Sequence, residues 1–402
     1  MIARIFLFIV IGTLLPYTLY YRKRLRQAAP WRRTLHWLPA VLLLGYSGYL
    51  AMLPGFVPEN PVLIDVWFVM MAFCAVPQFV YTSCMGIGWC VRRIFHTQSN
   101  RWGRRVGAVL AICAFFAFIY GFTVGFRRLE VKHVTVWLPD LPEAFDGYRI
   151  VQFSDIHLGS FYGWRADLPK RDIDSIQAQH PDMICFTGDL QNARPAEIYP
   201  YCRLLASLHA PDGVFSILGN HDYSKYIDAD PQTCLQQEAE VRRVERSLGW
   251  HLLCNEKAVV HRGKDSIYVV GTENYDKPKH TEVARSLYGI KPGNFILMLQ
   301  HIPTQWEDMV PSRINTVYGS PDSVLVAPQL TLSGHTHGGQ VSVLGLRPTL
   351  FAPFDYGLYE REGCQLYTSR GLGGVVPLRI GATAEIVVLT LKSKKGRLKV
   401  KR

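Results

Sequence analysis

Acidic residues are almost missing from the first third of this chain. Before Leu129 only Glu59 and Asp65 are acidic, against 14 Lys and Arg. From Leu129 onward there are 30 residues of each sign, so the whole formal charge of +12 on 402 residues belongs to the N-terminal third. A nucleic-acid-binding protein usually carries its excess on the folded module that meets phosphate. Here the excess flanks apolar runs, which suits membrane topology, and no nucleic acid is expected as a stable partner. The nine cysteines form no CxxC pair and keep no regular spacing, which excludes a zinc ribbon or a dense disulfide framework. Five of them (Cys185, Cys202, Cys234, Cys254, Cys364) lie in the C-terminal part, an odd number that leaves at least one thiol free. Internal repeats and low-complexity stretches are also absent.

What the N-terminal third has in quantity is apolar sequence. Four runs, at 2–21, 37–57, 62–81 (continuing toward 91) and 106–126, are long enough to cross a bilayer, which takes about 20 helical residues. Pro16 and Pro77 would kink their helices, which membranes tolerate more readily than water does. The first run lacks a strongly basic lead and a clear cleavage site, so it reads as an anchor rather than a signal peptide. Arg22, Lys23, Arg24, Arg26, Arg32 and Arg33 follow the first run, and Arg92, Arg93, Arg101, Arg104 and Arg105 follow the third. The turn PGFVPENP between the second and third has no basic residue. By the positive-inside rule both basic loops are cytoplasmic, and the C-terminal domain is exported. Residues 1–128 are therefore expected to be a four-span anchor, 129–391 a folded domain, and 392–402 (KSKKGRLKVKR) a loose basic tail.

After Phe126 the pattern changes to short strand-like runs at 148–154, 182–188, 214–219, 267–272, 295–300, 329–334 and 385–392. Helical patterns sit between them at 165–179, 195–209 and 234–248. Such alternation predicts an α/β domain with a largely parallel, buried sheet.

Residues of ligand type follow these runs directly, in FSDIHLG, FTGDLQN, ILGNHDY, LQHIP and LSGHTHGGQ. In an open α/β sheet the carboxyl ends of the strands converge on one edge, where ligands bind. Asp155, His157, Asp189, Asn220, His221, His301, His335 and His337 can thus gather around one point. Glycines at 159, 188, 219 and 334 let the backbone turn sharply there. Hard oxygen donors mixed with imidazoles suit Mn, Fe, Zn or similar divalent ions. Two such ions would need a shared ligand, and a carboxylate can bridge them. The other eight histidines are taken as surface or core residues.

The series D-x-H, GD, GNHD, H and GHTH resembles the calcineurin-like metallophosphoesterase superfamily over nearly all of 130–391. The flanks LPEAFDGYRIVQFSDIHLG and SRGLGG…EIVVLTL are most similar to the membrane-anchored or exported bacterial phosphodiesterases (the YkuE/YaeI-like group) and to transmembrane proteins with a metallophosphoesterase domain. The resemblance implies a β-sandwich flanked by helices. It implies a first metal on Asp155, His157 and His337, a second on Asn220, His301 and His335, and Asp189 bridging the two. It also implies that His221 serves the leaving oxygen and that Asp222 orients His221. The implied activity is hydrolysis of a phosphate mono- or diester by metal-activated water, with two divalent ions as cofactors.

An exported domain beside a membrane makes phospholipids and envelope precursors the candidate substrates, membrane lipids its surroundings, and the outer, periplasmic face of a bacterial inner membrane its location. The alternatives are a lipid-precursor pyrophosphatase of the UDP-diacylglucosamine hydrolase type, a membrane sensor or transport component with a regulatory phosphoesterase domain, and a non-catalytic phosphate-binding module. Phe161, Tyr162 and Trp164 are candidates for an apolar rim or for simple loop packing.

Overall fold

The computed structural model describes residues 2–53, 60–96, 101–224, 226, 227, 229–320 and 324–394. The acidic turn at 54–59 and most of the expected basic tail, from 395 on, lie outside the described residues. The chain divides into two compact units, Met1–Val124 and Gly125–Arg402.

The first unit is helical: α1 (Ile2–Tyr20), α2 (Pro30–Ala51), α3 (Pro61–Met70), α4 (Val76–Ile94) and α5 (Arg101–Tyr120). A π-helical turn, Met71–Ala75, joins α3 to α4, so Val62–Ile94 runs as one element. This element and Arg101–Gly125 are each long and apolar enough to cross a membrane. Many of the unit's large apolar side chains, including Leu15, Leu35, Val41, Phe79, Val109 and Phe116, are exposed. A water-soluble bundle would bury such residues, whereas acyl chains solvate them.

Among its described residues the second unit holds twelve strands: β1 (Leu129–Leu138), β2 (Arg149–Phe153), β3 (Met183–Phe186), β4 (Val214–Ser216), β5 (His251–Leu252), β6 (Glu256–Arg262), β7 (Asp265–Gly271), β8 (Phe295–Leu299), β9 (Leu330–Ser333), β10 (Gly357–Arg361), β11 (Cys364–Thr368) and β12 (Ala384–Ser393). They form two six-stranded sheets rather than the single sheet that alternation alone implied. One has the order β1-β12-β2-β3-β4-β5, the other β10-β11-β9-β8-β7-β6. Each is mixed: β2 to β5 and β7 to β9 pair in parallel, while β12 is antiparallel to β2 and β6 to β7.

The two-residue period of a strand explains the layering. Ile150, Met183, Cys185 and Phe215 of one sheet meet Ile267, Val269, Leu297, Leu330 and Leu332 of the other in a shared core. Val151, Phe153, Ile184 and Phe186 face the opposite way, onto α6 (Leu168–Gln177) and α8 (Pro231–Ser247) through Ile173, Ile176, Val241 and Val244. Val270, Ile296 and Met298 pack against α9 (Val283–Leu287) and α10 (Pro311–Val317). The result is a sandwich of two sheets with helices on both outer faces. The helix expected over 195–209 is broken into 3-10 turns at Pro195–Glu197 and Tyr199–Tyr201 before α7 (Cys202–Leu205). Pro200 has no N–H to donate to such a helix. Phe161, a rim candidate, is buried against Phe126 (centroids 5.5 Å apart), whereas Trp164 is half exposed.

Candidate metal centre

The eight gathered residues leave the carboxyl ends of five parallel strands, two sheets contributing to one place. After β2 come Asp155 and His157, after β3 Asp189, after β4 Asn220 and His221. From the other sheet, β8 leads to His301 and β9 to His335 and His337. Close approach here requires glycine at two points. A Cβ on Gly219 would stand 2.2 Å from Asp189 Oδ1, and one on Gly334 would stand 2.3 Å from Asp155 Oδ2. Five of the eight residues have left-handed backbone: Asp155 (φ 50°), His157 (53°), Asp189 (62°), His335 (76°) and His337 (53°). Such conformations cost on the order of 1–3 kcal/mol each and persist where surrounding structure over-determines them. Here backbone hydrogen bonds do so, among them Asp155 N–H to the Gly188 carbonyl (2.9 Å) and Gly373 N–H to that of Asp155 (2.8 Å).

The side chains fall into two overlapping groups. Ligand atoms of Asp155, His157, Asp189 and His337 lie within 4.8 Å of one another, and so do those of Asp189, His301 and His335. Asp189 alone belongs to both: its Oδ2 is 3.5 Å from His157 Nε2 and 3.2 Å from His301 Nε2. Asn220 Oδ1 is 3.1 Å from His301 Nε2, which adds it to the second group.

The donors fit divalent cations. His157 is fully buried, yet among the described residues neither of its ring nitrogens has a hydrogen-bond partner, and His337 Nδ1 has none either. Burial, aided by neighbouring His221, pushes His157 down to about 3, so its ring is neutral and offers a lone pair. Burial would also lower His301, but the Asp189 carboxylate outweighs it and raises His301 to about 9. Burial pushes Asp155 up to about 7, with His301 opposing and Asp189 adding to the rise. Buried acids that draw protons in this way call for positive charge, which a cation supplies. Orientation comes from a second layer. His301 Nδ1 donates to the Thr187 carbonyl (2.7 Å), turning Nε2 toward the cluster. Asn220 Nδ2 donates to the Tyr226 hydroxyl (2.8 Å), turning Oδ1 the same way.

His221 stands beside both groups. Its ring is edge-on to His157 (centroids 4.7 Å apart) and stacked on Tyr226 (4.1 Å). Its Nδ1 donates to the Asn192 carbonyl at 2.6 Å. Asp222, expected to orient His221, does something else. Its carboxylate accepts the backbone N–H groups of Gly219, Asp189, Leu190 and Gln191 at 2.8 to 3.3 Å, so it holds the two ligand loops together. Asn192 and Tyr226 do the orienting that the sequence reading gave to Asp222. A further residue it missed is Arg379, fully buried, whose guanidinium donates to the carbonyls of Arg370, Gly371, Gly373 and Ala382. It thereby clamps the SRGLGG loop that packs on Asp155. A lone arginine shortly after a glycine-rich stretch was the available signal.

Residues 148–339 match the family model of the calcineurin-like phosphoesterases, and residues 3–126 match that described as a probable calcineurin-like phosphoesterase transmembrane domain. A transmembrane protein with metallophosphoesterase domain from Danio rerio is 30% identical over 300 residues, 72% of this chain and 63% of that protein. This chain thus spans under two thirds of that relative's length. The metallophosphoesterase YkuE of Bacillus subtilis is 30% identical over 276 residues, covering 66% of this chain and 87% of YkuE. A metallophosphoesterase of Helicobacter pylori is 26% identical over 367 residues, 87% of this chain and 90% of that one. With ligand-type side chains gathered at the strand ends and a transmembrane region before them, the chain belongs to the calcineurin-like phosphoesterases, as a membrane protein carrying a metal-dependent phosphoesterase domain.

Proposed function

We propose that this chain hydrolyses a phosphate mono- or diester at a dinuclear centre. Asp155, His157 and His337 would hold one divalent ion, Asn220, His301 and His335 the other, with Asp189 shared between them. The observation that carries this reading is the place of Asp189, whose carboxylate is common to both ligand groups. Ions held there supply Lewis acidity toward phosphoryl oxygens and lower the pKa of water toward neutrality. The chain's own residues do the rest. The Asn192 carbonyl accepts from Nδ1–H of His221 and so sets the ring's orientation, from which a proton carried on Nε2 would pass to the departing oxygen. Tyr226 buttresses that ring from its face. In this reading water is the nucleophile, and none of the eight gathered residues is a Ser or Cys.

Full-length protein stripped with a chelator is expected to lose turnover of bis(p-nitrophenyl) phosphate and to regain it when Mn or Zn is restored. Turnover indifferent to chelation would sink the proposal.

The same reading takes the chain as multi-pass, with its catalytic unit on the periplasmic face of a bacterial inner membrane. Arg101, Arg104 and Arg105 at the start of α5 support this, since such residues favour the cytoplasmic side. A C-terminal alkaline phosphatase fusion is expected to be active and a C-terminal green fluorescent protein fusion exported by the Sec route dark. The reverse pair of results would place the site in the cytoplasm.

A further inference from the structure

Residues 341–351 leave the metal site after His337 and project outward before β10. The base of this segment is held firmly. Gln340 Nε2 donates to the carbonyls of Val376 (3.0 Å) and Leu378 (3.4 Å), and Ser342 N–H donates to that of Ile380 (2.6 Å). Beyond it Val343 and Leu346 exchange both backbone hydrogen bonds, at 2.9 and 3.0 Å, closing a two-residue hairpin. Its central residues, Leu344 (φ 52°) and Gly345 (φ 82°), both have positive φ. That turn favours Asn-Gly, because a short polar side chain tolerates the left-handed region and a leucine does not.

Leu344 is also fully exposed (100%), and near it Phe351 is 94% and Leu346 68% exposed. A leucine in this place is therefore unfavourable twice, by backbone and by hydration, and nothing within the described chain offsets either cost. Removing a side chain of this size from water is favourable in proportion to the apolar area covered. Within 341–354 the sole charged residue is Arg347, and its guanidinium is paired with Asp355. Tyr and Trp, the commonest anchors of protein-binding patches, are missing from 341–354, and Arg347 is already engaged by Asp355. An uncharged aliphatic and phenyl tip matches hydrocarbon. The catalytic unit begins at the residue after the helical unit, so a bilayer holding those helices is always within covalent reach.

The inner side of the segment bounds a cavity of about 500 Å³, lined by Tyr275, Asp276, Ile302, Pro303, Thr349 and Pro353 and reaching His335 of the metal centre. One short stretch of chain thus links an apolar exterior to the reaction site.

We propose that the tip around Leu344, Leu346 and Phe351 dips into the acyl boundary of the bilayer, and that the cavity behind it admits a phosphoester bearing a lipid tail. The substrate class rests on the phosphoesterase reading above, whereas the insertion does not.

Both parts can be tested on the full-length protein in phosphatidylcholine–phosphatidylglycerol vesicles that contain phosphatidylcholine with an acyl-chain diazirine. After irradiation and digestion, lipid adducts are expected within 341–354 as well as within 1–126. Adducts confined to 1–126 would overturn the insertion, and so would protein–protein cross-links through the tip without lipid adducts. Leu344→Asn suits the turn better, so thermal stability should hold or rise while adducts at the tip fall several-fold. A tip that merely serves the fold would show the opposite pattern. For the substrate, hexadecyl p-nitrophenyl phosphate is compared with methyl p-nitrophenyl phosphate. The long-chain ester should be preferred, and the preference should shrink in L344N/F351N with methyl-ester turnover unchanged. Equal turnover of the two esters by the parent protein would overturn the lipid class. Turnover of neither would overturn the phosphoesterase reading and this class with it, while the adduct map still decides the insertion.

Discussion

Asp189→Ala is expected to lower kcat/KM by about 10³ or more, because losing several kcal/mol of transition-state charge stabilisation corresponds to that factor. The expectation follows from how many groups depend on one carboxylate. Its Oδ2 faces His157 and His301, and its Oδ1 accepts the backbone N–H of His221 at 2.8 Å. Burial raises the carboxyl, but His301, His221 and His157 together hold it well below the usual carboxylate range, so it is anionic throughout the working pH range. Truncation removes the charge that both ligand groups share, and tightly held metal should fall from two ions per chain to one or fewer. Elemental analysis of the desalted protein, read beside the rate, checks this. Two retained ions with an unchanged rate would refute the shared-ligand assignment.

His221→Ala should separate cleanly from that result. General acid assistance is worth about 10²–10⁴ in rate, so kcat should drop by that range with metal content unaltered. The loss should also depend on the leaving group. An aryl oxide departs with little help, whereas an alkoxide needs the proton. The deficit against a methyl ester should therefore exceed that against a nitrophenyl ester by a wide margin. Equal deficits, or a parallel loss of metal, would make His221 a ligand rather than a proton donor.

The parts of this site that were legible in the sequence are those written locally. Each of β2, β3, β4, β8 and β9 is a short buried run, and a ligand residue follows within a few positions, often beside a glycine. Strand period and turn chemistry are enough to find such units. The partition into two sheets was not legible from spacing, because it depends on pairings such as β12 with β2, residues that stand more than two hundred positions apart. Of the strands left out of the sequence reading, β1, β6 and β10 are partly exposed, whereas β11 is a fully buried run of five residues that was missed all the same. In β6 (EKAVVHR) and β10 (GLYER) charged and apolar residues mix, since each lies at a sheet edge. The supporting layer was illegible for a different reason. Asn192 acts through its carbonyl and Asp222 through four amide groups, and main-chain roles leave no chemical trace in the identity of the residues they serve.

β12 also governs when the catalytic unit can be complete. This strand, Ala384–Ser393, is inserted between β1 and β2, pairing with all ten residues of β1. Until it arrives β1 has no neighbour in its sheet, and one edge of β2 is open. The sandwich thus cannot close before the chain has been made as far as residue 393, although the apolar helices have long since emerged. Pairings of such long sequence separation form slowly. During that interval unpaired strand edges invite wrong partners, a hazard that falls to the cell's chaperones. The order of synthesis therefore fixes an order of maturation: the apolar helices are made first, and hydrolytic competence follows only when β12 has been delivered.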